Sequence, residues 1–276
     1  MQSGSNTYRP LQPATGLPGQ LVYREYTPDP ALQGYIYCYW DLFPGLVPDN
    51  GYTYRVVADG CIDVFFDRLH PEQSFVMGCS NRFTEFPLGH DFHYTGIRFL
   101  PAQFPVLFRQ KASELSNRSE ELALVLPDLA DYLARLAPRL AAGITTSIEQ
   151  PPGGGESQLW AWLDRYFLQH LSRIRIAPDG RFGEALQLIL DHAGSLQVQQ
   201  DLDTGISPRQ LRRLFDYYIG DTPKAFSRIV RFQHLLRHAG AVRRDRAFLD
   251  AGYYDQAHFI RDFRVLYGDT PGKIFR

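Results

Sequence analysis

Cysteine is nearly missing from this chain of 276 residues: Cys38, Cys61 and Cys79 are the whole complement. An odd, sparse set makes no disulfide framework and fits a reducing cytoplasm. No apolar run reaches the length of a membrane-spanning helix, so no membrane partner is expected. The first residues lack a basic stretch followed by an apolar one, so no signal peptide is expected. Gly153-Gly154-Gly155 is not followed by Lys and Ser or Thr, which excludes a phosphate-cradling loop on the usual pattern. Cys61 stands beside Asp59 and Asp63, whose charges raise a thiol pKa and disfavour a reactive thiolate. No arrangement of catalytic residues, no metal site and no cofactor is expected.

Excess charge of one sign is also lacking over the whole chain, where the net is −1. Its distribution is uneven. Residues 207–276 hold 14 Lys and Arg against 7 Asp and Glu, a local +7, and residues 1–206 hold 15 against 23, a local −8. A basic C-terminal quarter on a near-neutral protein suggests a local surface for a polyanion.

That basic quarter contains one pattern twice. The first copy is SPRQLRRLFDYYIGDTPKAF, Ser207 to Phe226, and the second is DQAHFIRDFRVLYGDTPGKIF, Asp255 to Phe275. A shift of 48 positions superposes Ser207 on Asp255, Arg213 on Arg261, and Gly220-Asp221-Thr222-Pro223 on Gly268-Asp269-Thr270-Pro271. An internal repeat is one supersecondary unit used twice. Ser207 and Asp255 are helix N-cap residues, Pro208 suits the first helical turn, and Gln210 completes a capping box. Gly220 and Gly268 suit the left-handed turn past a helix end, and Thr-Pro then starts another helix.

At about 100° per residue, Leu211, Leu214, Phe215 and Tyr218 share one side of the first helix. Arg209, Arg213 and Asp216 lie opposite, with Arg212 at the edge. In the second helix Phe259, Ile260, Phe263 and Leu266 form the apolar side. Ala257, His258, Arg261 and Arg264 point away from it, and Gln256 sits in the first turn. Arginine, amide and small apolar groups match guanine, adenine and the thymine methyl in a DNA major groove.

These residues resemble the AraC/XylS family of bacterial transcription regulators. The strings GISPRQLRRLF, GDTPKAFSRIVRFQ and AGYYDQAHFIRDFRVLYGDTP carry the resemblance, which runs from near Phe182 to the end. It implies two helix-turn-helix subdomains joined by a long helix, with two recognition helices in successive major-groove turns on one face of double-stranded DNA. It also implies that Arg209, Arg212 and Arg213 are the readers of the first helix and Gln256, His258 and Arg261 those of the second. The full expected DNA-contacting set is Ser207, Arg209, Gln210, Arg212, Arg213, Lys224, Gln256, Ala257, His258, Arg261, Arg264 and Thr270. Lys224 to His238 would be the joining helix, about 22 Å long at 1.5 Å per residue. With a unit at each end, it sets the readers roughly 34 Å apart, one turn of DNA. Two positions depart from the family pattern: Gln200-Asp201 replaces an apolar-alanine pair, and Ala247-Phe248 reverses a large-then-small order.

Upstream, Leu21 to Pro101 is rich in short runs of Val, Ile, Phe and Tyr divided by Gly, Pro, Asp and Asn. LVYREY, YIYCYW, YRVVADGCIDVFF, SFVMGC, FTEFPL and HYTGIRFL are expected strands. The run resembles the N-terminal sensing domain of many AraC-type regulators, a partial cupin-like barrel. ADGCIDVFF, FVMGCSNRF and TGIRFLPAQF further resemble a subgroup with P-D-G-C, F-V-x-G and G-x-R-F-x-P motifs, Ala58 standing for the first proline. A small-molecule effector would meet an apolar, aromatic lining, with Arg55, Arg82 or Arg98 available for an anion.

The expected fold is therefore α+β. Residues 1–20 form a disordered tail, 21–141 a β-barrel sensing and dimerisation domain with following helices, and 142–158 a linker. Residues 159–180 form a connecting helix, and 181–276 the all-α double helix-turn-helix domain. The stripe Leu126, Leu129, Leu133, Leu136 is either core or a dimer seam, and the resemblance implies a homodimer acting on RNA polymerase. The competing reading is a cupin-like metal-dependent enzyme with an accessory helical domain. It would use His90 and His93, with Cys61 or Cys79 as a third ligand. The His-x-His pair with later Glu and His that such enzymes need is absent, and a His pair at this spacing between strands is more often a turn feature.

Overall fold

Alternation along one strand divides the N-terminal half. In β2 (Ile36–Pro44), Cys38, Trp40 and Leu42 enter one apolar cluster, whereas Ile36 and Tyr39 enter another on the opposite face. The odd step from Ile36 to Tyr39 is absorbed by a register shift between Ile36 and Cys38. The computed structural model describes residues 8–13, 21–45, 52–89, 91–144, 155–174, 179–196, 202, 204–238, 252–253 and 255–274.

The other strands are β1 (Leu21–Tyr26), β3 (Tyr52–Val56), β4 (Ile62–Asp67), β5 (Ser74–Met77), β6 (Thr84–Leu88), β7 (Tyr94–Phe99) and β8 (Ser119–Glu121). Six of them form one antiparallel sheet in the order β1-β2-β7-β4-β5-β8, and β3 pairs with β6 in a second sheet of two strands. The expected barrel is thus corrected to two sheets that do not close on each other among the described residues. Pro87 in β6 has no amide hydrogen to extend a ladder, which suits an edge.

The outer face of the large sheet is covered by α1 (Gln103–Phe108), α2 (Leu122–Val125), α3 (Pro127–Ile144) and α4 (Gly155–Arg173). Trp160 of α4 stacks on Tyr39 at 5.5 Å, and Phe99 packs edge-on against Phe104, Phe108 and Phe167. Leu129, Leu133 and Leu136 are buried in this core and Leu126 packs at its margin, so the leucine stripe belongs to the core of the chain itself. Helix occupies residues 142–144 and 155–158, where a linker was expected; the remainder, 145–154, lies outside the described residues. The connecting helix ends at Arg173 rather than 180.

The C-terminal part contains α5 (Gly180–Asp191), α6 (Pro208–Tyr218), α7 (Pro223–Arg237), α8 (Gln256–Tyr267) and α9 (Pro271–Ile274). The helix boundaries of α6, α7 and α8 fall within a residue of the capping signals. Gln200-Asp201 and Ala247-Phe248 lie outside the described residues.

The two halves share hydrophobic layers. Val57, Ala58 and Cys79 pack with Ile229 and Phe232 of α7 and with Phe259, Phe263 and Leu266 of α8. Tyr8 and Ala102 pack with α5 and α6. The expected disordered tail is therefore wrong for residues 8–13, because polar side chains there find buried partners. The Tyr8 hydroxyl donates to the Asp59 carbonyl at 2.7 Å, and Gln12 Nε2 donates to the Val57 carbonyl at 2.9 Å. Gln233 of α7 is completely buried and joins three segments. Its Nε2 donates to the Ala58 carbonyl at 2.8 Å and the Leu11 carbonyl at 3.3 Å, and its Oε1 accepts from the Leu11 amide at 2.7 Å. Gln233→Leu leaves the Leu11 amide and two carbonyls without these partners. It should lower stability by about 2–3 kcal/mol. Denaturant unfolding followed at both halves checks this, and an unchanged midpoint would refute it.

Candidate DNA interface and the cavity behind it

Each reader helix is started by a side chain. Ser207 Oγ accepts from the Gln210 amide at 3.2 Å, and Asp255 Oδ1 accepts from the His258 amide at 2.6 Å. Leu211 and Phe215 in α6, and Phe259, Phe263 and Leu266 in α8, point inward. The opposite faces carry the expected contact set. Ser207, Arg209, Arg212, Arg213, Lys224, Gln256, Ala257, Arg261 and Arg264 are exposed, and Gln210, His258 and Thr270 are partly buried.

His258 differs from the other expected readers. Its Nε2 lies 3.6 Å from Asp262, and its ring meets Tyr253 edge-on at 5.3 Å. Asp262 also pairs with Arg228 of α7 at 3.1 Å. His258 therefore helps fix α8 to the joining helix, and the outward groups of that unit are Gln256, Ala257, Arg261 and Arg264.

Arg231 of α7 is not singled out by the sequence pattern. Its Nε and Nη2 donate to the Gly194 carbonyl at 3.2 and 2.8 Å, and its Nη1 donates to the Gly252 carbonyl at 3.0 Å. Its guanidinium lies 5.2 Å from the Tyr253 ring centre. Gly194 follows α5 and Gly252 precedes α8, so one planar fork holds both units to the joining helix. A single arginine in a helix carries no sequence signal for such a role.

Both Gly-Asp-Thr-Pro turns rest on the N-terminal half. Ser116 Oγ donates to the Gly220 carbonyl at 2.6 Å, and Asn81 Nδ2 donates to Asp221 at 2.8 Å. The Phe83 amide donates to the Val265 carbonyl at 3.0 Å, and the Ala58 amide to the Leu266 carbonyl at 3.1 Å. Gly268 has φ +91°, and a β-carbon there would press on Phe83 and Arg55, so turn and contact both require glycine. Lys111 reaches Asp216 on α6 at 2.7 Å.

Between the inner face of the large sheet and the β3–β6 ribbon lies a cavity of about 140 Å³. Trp40, Tyr54, Phe65, Phe86 and Tyr94 supply its aromatic walls, and Asp63 and Arg98 are its charged residues. Gly96 faces Trp40 across the β2–β7 ladder, where a β-carbon would overlap the indole. Asp63 accepts from Trp40 Nε1 at 2.8 Å, and its carboxylate lies 3.1 Å from Arg98 Nε. Arg98, 3% exposed, also lies 3.4 Å from Asp59 and donates to the Tyr23 hydroxyl at 3.2 Å. Burial pushes the Asp63 carboxyl up to about 6, with Arg98 opposing and Asp59 adding to the rise. Burial would lower the Arg98 pKa, but Asp63, Tyr23 and Asp59 together hold it well above its ordinary value. Burial, reinforced by Asp59, also pushes up the Cys61 thiol.

Asp59 belongs to both regions. Its Oδ2 accepts from Gln12 Nε2 at 2.8 Å, its carbonyl accepts from Tyr8, and its neighbour Ala58 bonds to α7 and α8. The cavity's ion pair is thus one residue away from the layer that packs on α7 and α8.

Of the arginines expected in a ligand site, only Arg98 lines this cavity. Arg55 alternates outward from Tyr54 and Val56, pairs with Glu85 at 2.6 Å and lies over Phe83. Arg82 is exposed in the turn before β6. His90 lies outside the described residues, and His93 turns to Asp41 at 3.7 Å and Phe43 at 5.0 Å. Among the described residues no group of three or more His, Cys, Asp or Glu could hold a metal ion. No helix among them is long and apolar enough to cross a membrane.

Residues 203–276 match the family model described as a helix-turn-helix domain, and residues 24–121 match a domain of unknown function, DUF6597. No curated protein matches the chain. Among solved structures, apo ToxT from Vibrio cholerae is 10% identical and aligns over 93% of this chain and 97% of that one, with a TM-score of 0.43. ToxT from the same organism bound to (E)-4-(8-methylnaphthalen-1-yl)but-3-enoic acid is 12% identical over the same shares, with a TM-score of 0.38.

Proposed function

We propose that this chain, a DNA-binding regulator whose C-terminal part is an AraC-type helix-turn-helix domain, reads a bipartite operator and answers to a small molecule held between its two sheets. The observation that carries the DNA reading is the pair of exposed, arginine-bearing helices in two units whose flanking Gly194 and Gly252 carbonyls are both held to one joining helix by Arg231. Lysine and arginine at phosphates supply most of the affinity, and the exposed side chains of α6 and α8 supply discrimination. The first unit, with Arg209, Arg212 and Arg213, acts largely as a phosphate clamp. The second, with Gln256, Ala257 and Arg261, contributes at least comparable base discrimination.

Asp59 supports the sensing half of the reading. A ligand that rearranges Asp63 and Arg98 acts on a carboxylate whose own segment bonds to α7 and α8. The regulator works in the cytoplasm, as a homodimer on paired sites, and acts through RNA polymerase. None of this needs a catalytic residue.

Selection on random duplex DNA tests the reading: two enriched half-sites about one helical turn apart are expected, and no enrichment would overturn it. Within that experiment, Arg261→Ala should weaken specific binding by about 1–3 kcal/mol and relax preference at one base pair. Unchanged preference at every position would remove Arg261 from the base-reading set.

A further inference from the structure

We propose that the cavity between the sheets takes a small uncharged aromatic molecule bearing one hydroxyl or similar neutral polar group, which accepts from Arg98 and donates to Asp63. This rests on the reading that the N-terminal half binds a small molecule.

Size sets the first limit. The cavity measures about 140 Å³, and an engineered apolar cavity of about 150 Å³ holds benzene. One ring with a short substituent fills that space. Shape sets the second. Five aromatic side chains, Trp40, Tyr54, Phe65, Phe86 and Tyr94, line the space and present faces and edges suited to a flat ring.

Charge sets the third limit. Asp63 pairs with Arg98 at 3.1 Å, and Asp59 and Glu25 lie 3.4 and 3.9 Å from the same guanidinium, so the charges at the polar end are already engaged with one another. A ligand carboxylate would be buried beside Asp63, with Asp59 behind it, and a ligand ammonium would be buried beside Arg98. Neither would find a counter-charge that is not already engaged. Hydrogen-bonding capacity does remain. Arg98 Nε faces Asp63 and Asp59, and Nη1 reaches Tyr23; Nη2 has no partner among the described residues. Asp63 Oδ1 accepts from Trp40, and Oδ2 receives only the 3.3 Å bond from Arg98 Nε. Both residues line the cavity, and one donor with one acceptor matches a hydroxyl, which gives and takes one bond.

Calorimetric titration of the full chain with phenol, benzoate and benzylamine tests the proposal. Phenol is expected to bind about tenfold or more tighter than either charged probe, reflecting the uncompensated charge each would bury. Leu88→Trp, which fills the cavity from the β6 side, should abolish phenol binding. Tryptophan fluorescence of the unsubstituted chain gives a second readout, because Trp40 stands in the wall. Equal or tighter binding of benzoate or benzylamine overturns the ligand class, and so does failure of phenol to bind. Operator affinity measured with saturating phenol separates the two claims. Phenol bound with operator affinity changed upholds both. Phenol bound with operator affinity unchanged upholds the ligand class and removes the sensing role.

Discussion

Arg98→Leu is expected to destabilise the chain by about 3–5 kcal/mol at neutral pH, because it strands buried carboxylates rather than merely removing a bond. Asp63 and Asp59 both lie against this guanidinium, and both are buried. The loss should depend on pH in a defined direction. In the unsubstituted protein burial raises the Asp63 pKa from 3.8 to about 6. The fold therefore binds this proton more tightly than the unfolded chain does. Below pH 3.8 both states are protonated and the group costs the fold nothing. As pH rises from 3.8 to 6 the unfolded chain ionises first, so stability falls; above 6 the folded state ionises too and the curve levels. Removing Arg98 takes away the charge that holds this pKa down, so in the variant the decline continues to higher pH. The deficit should be small at pH 4 and large at pH 8. Denaturant titrations at these two values decide it: an equal deficit at both would mean that lost packing, not stranded charge, is the cause.

Arg231→Ala has the second large expected effect, and its signature lies in DNA geometry. Three bonds to the Gly194 and Gly252 carbonyls disappear together with the contact on Tyr253. Bonds to a charged donor contribute about 1.5–3 kcal/mol each when sheltered, so a loss of about 2–4 kcal/mol is expected for this partly exposed cluster. Each unit keeps its own caps and apolar stripe, so binding to a single half-site should change little. Binding to two half-sites one turn apart should weaken about tenfold or more, because the spacing is no longer held. Arg231→Lys should restore part of it, because a compact ammonium lacks the planar fork whose separate nitrogens reach the two carbonyls. Equal weakening on single and paired half-sites would show that Arg231 does not set the spacing.

How far the residues alone disclose the fold follows the range of the forces involved. Ser207, Asp255, Gly220 and Gly268 act on neighbours within five positions, so the helix limits of both units are legible in the chain itself. The strands are legible as alternating runs, but their closure is not, since only pairing partners reveal that β3 and β6 stop at each other. The arginines of the N-terminal half divide on a question of facing. Arg98 enters the cavity and Arg55 leaves it, and both sit in similar aromatic runs. His258 fits the outward arc of α8 by angle alone, but Asp262 and Tyr253 draw the ring sideways. Arg231, Gln233 and Asp59 give no local signal because their partners lie far along the chain, and composition places Tyr8 and Gln12 in a polar tail.

The bond between the Leu11 amide and Gln233 spans 222 residues. During synthesis the segment around Tyr8 leaves the ribosome long before α7 does. At about 5–20 residues per second, Leu11 waits roughly 10–45 s for the side chain that will hold it. Until then Val57, Ala58 and Cys79 lack the apolar partners that α7 and α8 supply. The strand-rich half therefore passes through every round of translation with that patch uncovered by the C-terminal helices, and α7 and α8 are the cover that ends the exposure.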